Sequence, residues 1–473
     1  MTRPVVVVAG ARGFVGEALI PRLRSRCDVV ALGRSQPPAN TEGVEWRQAD
    51  LFSLKDAEAG VAGANVGVYL VHSMLPGSRL TQGSFRDLDL ITADNFARAA
   101  KEAGLRQIVY VGGLAPETSE LSPHLASRLE VERALGAHGV PVTALRAGLL
   151  VGARGSSFVM LRRLVERLPM MGLPPWMDTE THPLALDDLV AALDYVVDNS
   201  ETFGRTFDVG GPDRMSYREM VETVAASLGK HPRLYRLPFV PPVMSVLWIR
   251  LVTGAPKALV APLVESLPHR MVAKDSELFD RAGIRPKPFA VAVREALLEP
   301  TQARAAPAAY QRPRKTVAER TVRSVQRLPL PPGKSSDWTA QEYMRWLPQA
   351  MLPLLYVTVD ASRVCRFFPV GFRTPLLVLE YAKDRSAEDR ALFYIRGGLL
   401  ARVVGRGRLE FRSFFGGAFQ LAAVHEYVPR LPWPIYAWTQ ALGHLWIMWR
   451  FGRHLRARAK MASPTAPSST SAV

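Results

Sequence analysis

The sequence predicts an α/β protein in which a doubly wound parallel sheet is followed by a separate α+β domain. In the first third of the chain, short β-branched runs alternate with helical stretches, which is typical of a parallel sheet with helices on both faces. Beyond about residue 350, strand-like runs follow one another and end in a long aromatic helix, which predicts an antiparallel sheet. The length of 473 residues also favours two or three domains over one.

The first domain is predicted to span residues 1–300. Its expected strands are Val5–Ala9, Val29–Leu32, Val44–Gln48, Val66–Val71, Gln107–Val111, Val142–Arg146 and Arg205–Val209. Its expected helices are Val15–Ser25, Phe85–Ala103, Leu125–His138, Ala185–Asn199 and Tyr217–Leu228. Because helices separate most of these strands, one parallel sheet is the expected arrangement.

A basic linker over residues 301–336, rich in Arg, Ala and Pro, is predicted to lead into an α+β domain over residues 337–460. The expected strands of this domain are Pro353–Val359, Leu376–Ala382, Arg390–Ile395, Leu399–Val404, Gly407–Phe414 and Ala418–Tyr427. One helix is expected from about Trp433 to Ala459. Residues 461–473 form a Ser/Thr/Pro/Ala tail that we expect to be disordered.

The net charge of +17 is concentrated in two segments. Gln302–Lys334 holds eight basic residues against Glu319 alone, and Arg450–Lys460 holds five basic residues and no acidic one. Such clustering favours peripheral contact with an anionic surface such as a membrane, although a solvated linker and tail explain it equally well. A nucleic-acid partner is not expected, because the basic residues are not interleaved with aromatics on a known module. No pattern indicates an oligomeric state.

The cysteines and the apolar segments indicate a cytoplasmic protein, with peripheral contact at the inner face of the membrane as the further expectation. Cys27 and Cys365 lie far apart and form no redox or metal-ligand pattern, so no metal site is expected. No signal peptide is recognised at the N-terminus. The most apolar stretch, Phe239–Leu267, contains Arg250, Lys257 and several prolines and does not resemble a membrane span.

A glycine motif, Gly10-Ala-Arg-Gly13-Phe-Val-Gly16, lies directly between the first predicted strand and the first helix. In this context glycines permit a tight turn and the close approach of backbone to a pyrophosphate, while the helix N-terminus supplies donors. The motif therefore predicts a Rossmann-type dinucleotide site; a glycine turn without a ligand is the weaker alternative. The loop residues expected at the cofactor are Gly10, Arg12, Gly13, Phe14, Val15 and Gly16.

The residue after the second strand predicts which dinucleotide binds. NAD enzymes place an acidic residue there to bind the ribose hydroxyls. Here the strand ends Ala31-Leu-Gly33-Arg34 without an acid, and Arg34, assisted by Arg12, can pair with a 2′-phosphate. NADP(H) is therefore favoured, with NAD(H) as the alternative and Arg34 then a plain surface charge.

Over Val5–Glu299 the chain resembles the extended and atypical short-chain dehydrogenases, in particular their epimerase-like and NmrA-like bacterial members. The glycine motif is joined in this resemblance by Asp50-Leu51, Tyr69–Met74, Tyr110–Leu114, Leu145–Gly148, His182–Asp188 and Asp208–Pro212. The resemblance implies that Asp50 and Leu51 lie at the adenine and that Val71 and His72 line the nicotinamide side. It also places Gly112 and Gly113, at the end of the fifth strand, among the cofactor-binding residues.

The catalytic residues of that family are missing. Its Tyr-x-x-x-Lys pair exchanges the proton, and a serine or threonine at the end of the fifth strand polarises the carbonyl. Here the strand ends in two glycines, and the expected window reads His124-Leu-Ala-Ser-Arg128. His124 could act as the acid and Arg128 could bind ribose or an anionic substrate. Alternatively, His124 caps the helix and Arg128 pairs with Glu132.

The C-terminal region is similar to the helix-grip (lipid-binding-like) domain that follows the dehydrogenase domain in some relatives, most clearly over Arg406–His454. Such a domain commonly encloses an apolar cavity. A set of aromatic residues could line that cavity or simply form the core: Trp433, Tyr436, Trp438, Trp446 and Trp449.

Three functions are consistent with these patterns. The first is an NADP-dependent oxidoreductase acting on an unknown small apolar carbonyl or quinone-like substrate. The second is a non-catalytic dinucleotide sensor or assembly factor, which the missing catalytic residues favour. In the third, the C-terminal domain binds lipid or quinone and the first domain regulates it.

Overall fold

A computed structural model describes residues 3–35, 40, 42–72, 80–118, 120–299 and 321–462. These residues divide into two compact units. The first contains the described residues of 3–72 and 89–299, and the second contains residues 80–88 and 321–462. Most of the predicted linker and the predicted tail from Ser463 lie outside the described residues.

Each strand and helix that the sequence predicts up to residue 299 is present, and the structure adds further short strands and helices between and after them. The strands are β1 (Val5–Ala9), β2 (Asp28–Gly33), β3 (Val44–Gln48), β4 (Val66–Tyr69), β5 (Leu80–Gln82), β6 (Gln107–Gly113), β7 (Val142–Ala147), β8 (Leu150–Val151), β9 (Met170–Leu173), β10 (Glu180–Thr181), β11 (Leu184–Ala185), β12 (Thr206–Val209), β13 (Met215–Ser216) and β14 (Arg233–Arg236). The helices are α1 (Phe14–Leu23), α2 (Leu54–Val61), α3 (Phe85–Glu102), α4 (Pro123–Gly136), α5 (Ser156–Arg167), α6 (Leu186–Val196), α7 (Tyr217–Ser227), α8 (Pro242–Thr253), α9 (Lys257–Ser266), α10 (Glu277–Ala282) and α11 (Phe289–Leu298).

Seven parallel strands form the central sheet of the first unit, in the order β12-β7-β6-β4-β1-β2-β3. Val6, Val7 and Val8 are fully buried, as expected for a strand covered on both faces. The chain order reverses between β1 and β4, so the crevice at their carboxyl ends is the expected ligand position of such a sheet. The predicted α/β fold class is confirmed.

Residues 148–299 add a second layer of packing to the first unit. Small two-stranded pairs, β8 with β11, β9 with β14 and β10 with β13, connect helices whose apolar side chains form a core of their own. Phe158 of α5, Val224 of α7 and Val293 of α11 are fully buried in that core. This part of the chain supplies the wall of the site described below.

The second unit is an antiparallel sheet with helices against one face. Its further strands and helices are β15 (Val322–Leu328), α12 (Ser336–Met351), β16 (Leu355–Val359), β17 (Val364–Pro369), β18 (Leu377–Tyr381), β19 (Arg390–Gly397), β20 (Arg408–Phe414), β21 (Phe419–Tyr427), α13 (Trp433–Trp438) and α14 (Gln440–Ala462). The sheet order is β16-β17-β18-β19-β20-β21-β15-β5, and only the β15–β5 pair is parallel. Tyr343 of α12 contacts Phe411 of β20 and Phe451 of α14.

The structure differs from the sequence prediction at several points in the second unit. Part of the predicted linker is strand β15, whose first four residues are buried although its arginines and the prolines that follow it resemble a linker. Helix α12 and strand β17 were not anticipated, and Leu399–Val404 is not a strand. The predicted helix from Trp433 is broken at Thr439, where the backbone leaves the helical region. The expectation of an α+β region is nevertheless confirmed.

Candidate functional site

The glycine loop leaves β1 and turns directly into α1. The amide of Gly13 donates to the carbonyl of Gly10 at 2.8 Å, and Gly10 has a φ of 88°, which favours glycine. A Cβ at Gly16 would lie 2.5 Å from the carbonyl oxygen of Gly10, and one at Gly10 would lie 2.9 Å from that of Leu70. No side chain caps the first turn of α1, so its backbone donors face the crevice. This cradle of glycines fits the pyrophosphate of a dinucleotide.

Phe14 connects the loop to the layer that follows the sheet. A Cβ at Gly152 would lie 2.6 Å from the Phe14 ring, and one at Gly155 would lie 3.0 Å from it. The two glycines therefore make room for this ring. Phe14, placed by the sequence at the cofactor, also orders the loop by packing against the segment that precedes α5.

Two arginine side chains, one from the glycine loop and one that follows β2, lie near the end of β2. The second ribose of a dinucleotide is expected at this position. Arg12 donates to the hydroxyl of Ser35 at 2.6 Å, and its guanidinium lies 5.3 Å from the centre of the Trp46 ring. Arg34 is exposed, and its carbonyl accepts from Gln48. Sequence reasoning missed Ser35 and Trp46; a hydroxyl directly after Arg34 was the available signal for the first.

Asp50 and Leu51 both accept hydrogen bonds from other residues of the protein. The carboxylate of Asp50 accepts from the amide of Phe52 at 3.2 Å, and the carbonyl of Leu51 accepts from the Asn95 side chain at 2.8 Å. Both residues follow β3 at the edge of the crevice, and their implied role at the adenine stays a prediction.

A cleft of about 430 Å³ lies at the carboxyl ends of β1, β4 and β6. It brings together most of the residues that the sequence singled out, namely Gly10, Gly13, Phe14, Val15, Gly16, Val71, His72, Gly112, Gly113, His124 and Arg128. Arg12, Arg34, Asp50 and Leu51 lie outside its lining. The cleft therefore contains the glycine loop together with the residues that the sequence placed at the nicotinamide and the substrate.

Helix α4 presents His124 and Arg128 to the cleft from one face. The alternative in which His124 caps the helix is wrong: Ser122 caps it, and its hydroxyl accepts from the amide of Leu125 at 3.3 Å. Arg128 does not pair with Glu132. It is buried against Asp89 in an ion pair, while Glu132 pairs with Arg146 at 2.8 Å. Asp89 is 39 residues from Arg128, and no local pattern indicated it.

The electrostatics of α4 limit what His124 can do. Burial, together with the positive charge of Arg128 and the proximity of His72, lowers the pKa of His124 to about 3. The imidazole is therefore neutral near pH 7, and it can donate a hydrogen bond but carries no extra proton. Arg128 remains a fixed cation because a guanidinium does not deprotonate in proteins.

The missing hydroxyl at the end of β6 does not result from lack of space. A Cβ at Gly113 would lie 3.8 Å from Cγ of Arg128 and 3.9 Å from Leu125, which are ordinary contacts. A serine would fit at this position. The absence of a hydroxyl here therefore follows from the residue type and not from a lack of room for a Cβ.

Beyond His124 and Arg128 the cleft is walled by apolar side chains. They come from α5, α7, α8, α9 and the intervening loops and include Met160, Leu161, Leu164, Trp176, Val221, Ile249, Leu259, Val260, Leu263, Val264, Leu267 and Met271. Burial raises the pKa of Tyr217, which also lines the wall, to about 12, so its hydroxyl stays protonated. These residues are scattered over more than a hundred positions, and sequence reasoning identified none of them.

Comparison with known proteins agrees with this geometry. Residues 10–163 match the family model described as NAD(P)H-binding. The chain is 30% identical over 142 residues to the auxiliary protein GraX of Staphylococcus aureus, covering 30% of this chain and 43% of that protein. It is 24% identical over 249 residues to the mitochondrial NADH dehydrogenase [ubiquinone] 1 alpha subcomplex subunit 9 of Arabidopsis thaliana, covering 50% and 60%. The chain thus spans about half the length of these relatives.

Solved structures show the same fold for the first part of the chain. The NADPH-dependent quinone oxidoreductase of Escherichia coli, complexed with NADPH, and the triphenylmethane reductase of Citrobacter sp., complexed with NADP(H), each superpose with a TM-score of 0.50 at 19% identity, covering 62% of this chain and 99% of theirs. A nucleoside-diphosphate-sugar epimerase of Staphylococcus aureus superposes with the same TM-score and coverage at 16% identity. The chain therefore contains an NAD(P)H-binding domain with an epimerase-like fold.

Proposed function

We propose that this chain is an NADP(H)-dependent oxidoreductase that reduces a small apolar carbonyl or quinone-like substrate. The observation that carries the proposal is the continuity of the cleft. One cavity is lined at one end by the glycine loop and the carboxyl ends of β4 and β6, and at the other by apolar side chains of α5, α8 and α9. A cofactor held by the loop would meet an apolar molecule there without intervening bulk water.

The preference for NADP(H) is supported by the charges beyond β2. Arg34 and Arg12 supply two guanidinium groups and Ser35 a hydroxyl, and the segment Ala31–Ser35 holds no carboxylate that would repel a 2′-phosphate. Guanidinium groups bind phosphate oxygens through two parallel donors.

The residues of the cleft define how the chain would assist reduction. When bound, a reduced nicotinamide supplies hydride. Arg128, held by Asp89, would stabilise the negative charge that develops on the substrate oxygen, and neutral His124 would donate a hydrogen bond to it. Because His124 carries no extra proton near pH 7, an acceptor whose reduced form is a delocalised anion suits the site better than a simple ketone.

The second candidate function is a non-catalytic dinucleotide sensor or assembly factor. It is favoured by one specific observation: the strand end at Gly113 and the helix face at His124 and Arg128 carry none of the usual serine, tyrosine and lysine, although Gly113 has room for a serine. In this function the cofactor would hold a conformation and would not be turned over.

Oxidation of NADPH by the full-length protein, offered a water-soluble naphthoquinone or an aromatic aldehyde, separates the two candidates. We expect turnover with the quinone. Replacing cleft residue Leu263 by Trp should fill the apolar end and raise the KM for the quinone while leaving NADPH affinity unchanged. The matched control is Leu298→Trp at an exposed position of the same unit. Tight NADPH binding with no oxidation by any acceptor would favour the sensor.

For the second unit we propose a helix-grip domain. Its element order, one strand, one helix, six antiparallel strands and a long final helix, supports this proposal. The core aromatics include Tyr436 and the partly buried Trp433. Trp438, Trp446 and Trp449, however, are exposed, so the prediction that they are part of a core or line an enclosed cavity was wrong.

Helix α14 also supports the expected peripheral contact with an anionic membrane. One exposed stripe has residues spaced by four and three along the helix, namely Leu442, Trp446, Trp449, Arg453, Arg456 and Lys460. Arg450 and Arg458 instead bind α12, through the carbonyl of Ala350 and the carboxylate of Glu342. Three of the five basic residues therefore share a face with the tryptophans, and each could contribute about 1 kcal/mol at anionic lipid.

This contact is tested by vesicle flotation of Arg453→Gln/Arg456→Gln/Lys460→Gln. Truncation at Trp449 is unsuitable because Phe451 and Leu455 are buried in the core. The triple variant should lose affinity for anionic vesicles and keep its melting temperature. Equal flotation of the variant and the wild type would show that α14 does not bind lipid.

A further inference from the structure

Helix α8 buries polar side chains and exposes apolar ones, which reverses the usual arrangement of a surface helix. Its buried side carries Ser245, Ile249 and Thr253, of which two are polar. Its solvent side carries large apolar residues that are exposed, and the preceding loop adds another. This α8 outer face consists of Phe239, Val243, Met244, Leu247, Trp248 and Leu251, with exposures from 45% to 78%. A surface helix normally shows the opposite arrangement, and a contiguous exposed apolar patch of this kind marks an interaction site.

The neighbouring helix shows that the reversal is specific to α8. In α9, Leu259, Val260 and Val264 are buried, whereas Lys257 and Glu265 are exposed. Both helices belong to one apolar cluster and both line the cleft, α8 through Ile249 and α9 through Leu259. The α8–α9 hairpin therefore has the cleft on its inner side and the apolar outer face on the other.

The hairpin is fixed in the first unit by hydrogen bonds at the end of α8. Arg163 and Arg167 of α5 donate to the carbonyls of Thr253 and Val252, each at 2.6 Å. Gly254 ends the helix in the left-handed conformation at a φ of 71°. These contacts satisfy carbonyls at the helix terminus, so the apolar exposure of α8 is a property of an ordered element.

The charge around the outer face identifies its partner. From Arg233 to Val264 the chain contains no Asp or Glu, and its four charged side chains are basic: Arg233, Arg236, Arg250 and Lys257. The chain segment around this apolar, tryptophan-containing face supplies cations and no carboxylate, which complements the interface of an anionic bilayer. Asp178, 3.9 Å from Arg236, is an acidic residue that the fold brings near one of these cations. The 12 residues of α8 extend about 18 Å, short of the roughly 30 Å of a bilayer core, and no helix among the described residues is long and apolar enough to cross one.

We propose that the α8 outer face docks on an anionic lipid bilayer and that the hairpin admits a membrane-resident apolar substrate to the cleft. The docking part of the proposal depends only on the exposed surface of α8. The admission of substrate rests on the proposed oxidoreductase function. The substrate class is thereby narrowed to long-chain, lipid-soluble acceptors such as quinones with an isoprenoid tail. A second copy of the chain is the competing occupant of this face.

The test is flotation of the full-length protein with vesicles of phosphatidylcholine alone and with added phosphatidylglycerol. Leu247→Gln/Leu251→Gln removes two exposed leucines that do not line the cleft, and the matched control is Leu399→Gln/Val403→Gln at exposed positions of the second unit. We expect the α8 variant to bind anionic vesicles at least about tenfold more weakly than the wild type and the control. Unchanged binding, no binding by the wild type, or conversion of a wild-type dimer to a monomer would overturn the proposal.

Activity in the same variants separates this proposal from the proposed function. With a water-soluble naphthoquinone and no vesicles, Leu247→Gln/Leu251→Gln should turn over like the wild type. With a long-chain quinone embedded in anionic vesicles, it should lose turnover. If the wild type reduces neither quinone but still floats with anionic vesicles more strongly than Leu247→Gln/Leu251→Gln, the oxidoreductase function fails and the docking of α8 is upheld. Equal turnover of the embedded quinone by the variant and the wild type would exclude the hairpin as the entrance.

Discussion

The two ends of the cleft differ in what they are made of. At the end where we propose that the dinucleotide binds, the backbone of Gly10, Gly13 and Gly16 and the first turn of α1 shape the surface. At the other end the surface is side chains that converge from α5, α7, α8 and α9. A backbone surface tolerates no added atom at its glycines, whereas a side-chain wall can be reshaped one residue at a time. The cofactor end should therefore be sensitive to single substitutions, and the substrate end should change its specificity first.

The largest effect is expected at the backbone end. In Gly16→Ala the new Cβ would lie 2.5 Å from the carbonyl oxygen of Gly10, so the loop must move away from the position that binds pyrophosphate. The dissociation constant of NADPH, measured by calorimetry, should rise at least about 100-fold. Gly136→Ala, where the Cβ would meet only Val142 at 3.5 Å, is the control and should bind normally. Normal NADPH binding by Gly16→Ala would mean that the loop is not the cofactor site.

The second-largest effect is expected for variants of Arg128, which lies between the two ends of the cleft. Arg128→Met should lower kcat for a quinone about 100-fold or more, as expected for loss of a group that stabilises an oxyanion, with little change in NADPH affinity. Because this variant leaves Asp89 buried without its partner, Asp89→Asn/Arg128→Met is needed as a second variant that removes both charges. Undiminished turnover in the folded double variant would remove Arg128 from the mechanism.

A smaller effect is expected at the far side of the cofactor end, where binding depends on exposed side chains. Arg34→Ala should weaken NADPH binding about tenfold while leaving NADH binding nearly unchanged, because only NADPH carries the 2′-phosphate. Arg22→Ala, an exposed arginine of α1, is the control. Equal wild-type affinities for NADPH and NADH would refute the assignment of this end to NADP(H).

The smallest effect concerns pH. Because burial and Arg128 hold the pKa of folded His124 near 3, against about 6.5 when unfolded, turnover should show no His124 titration between pH 5 and 8. The unfolded chain binds the proton first as pH falls, so the contribution of His124 to stability is full above pH 6.5 and declines progressively toward pH 3. His124→Phe should reduce this decline when denaturant unfolding is followed at pH 7 and pH 5. An unchanged pH dependence would place the pKa of His124 near its ordinary value.

The glycine loop comes from one short segment, whereas the apolar wall comes from many distant ones, and this difference explains which features could be predicted from the sequence. The glycine loop with its Arg12, the strand and helix on either side of it, and Arg34 after β2 are local patterns, and the sequence alone indicated each of them. The ion pair of Arg128 with Asp89 joins α4 to α3, and the apolar wall assembles residues from Met160 to Met271. Only the folded chain brings such residues together. The reversed polarity of α8 was likewise hidden, because a sequence shows an apolar stretch without showing which side of it is buried.

Element prediction failed for a related reason. Strand β15 contains Arg323 and Arg327 and follows a basic Ala/Pro-rich segment, so its composition resembles a linker. Its identity as a strand depends on pairing with β21, almost a hundred residues later. The helix over 433–459 was correct in type, but the chain leaves helical geometry at Thr439, next to no glycine or proline that would indicate a break in the sequence.

The central claim is that a cofactor held by the glycine loop meets an apolar acceptor in one cleft. Reaction of NADPH deuterated at either face of the nicotinamide C4 with a naphthoquinone, followed by mass spectrometry of the NADP⁺ formed, tests it most directly. A nicotinamide held with one face toward the apolar wall should lose deuterium completely from one isotopomer and retain it completely in the other. Partial loss from both isotopomers, or no oxidation of either, would contradict the account.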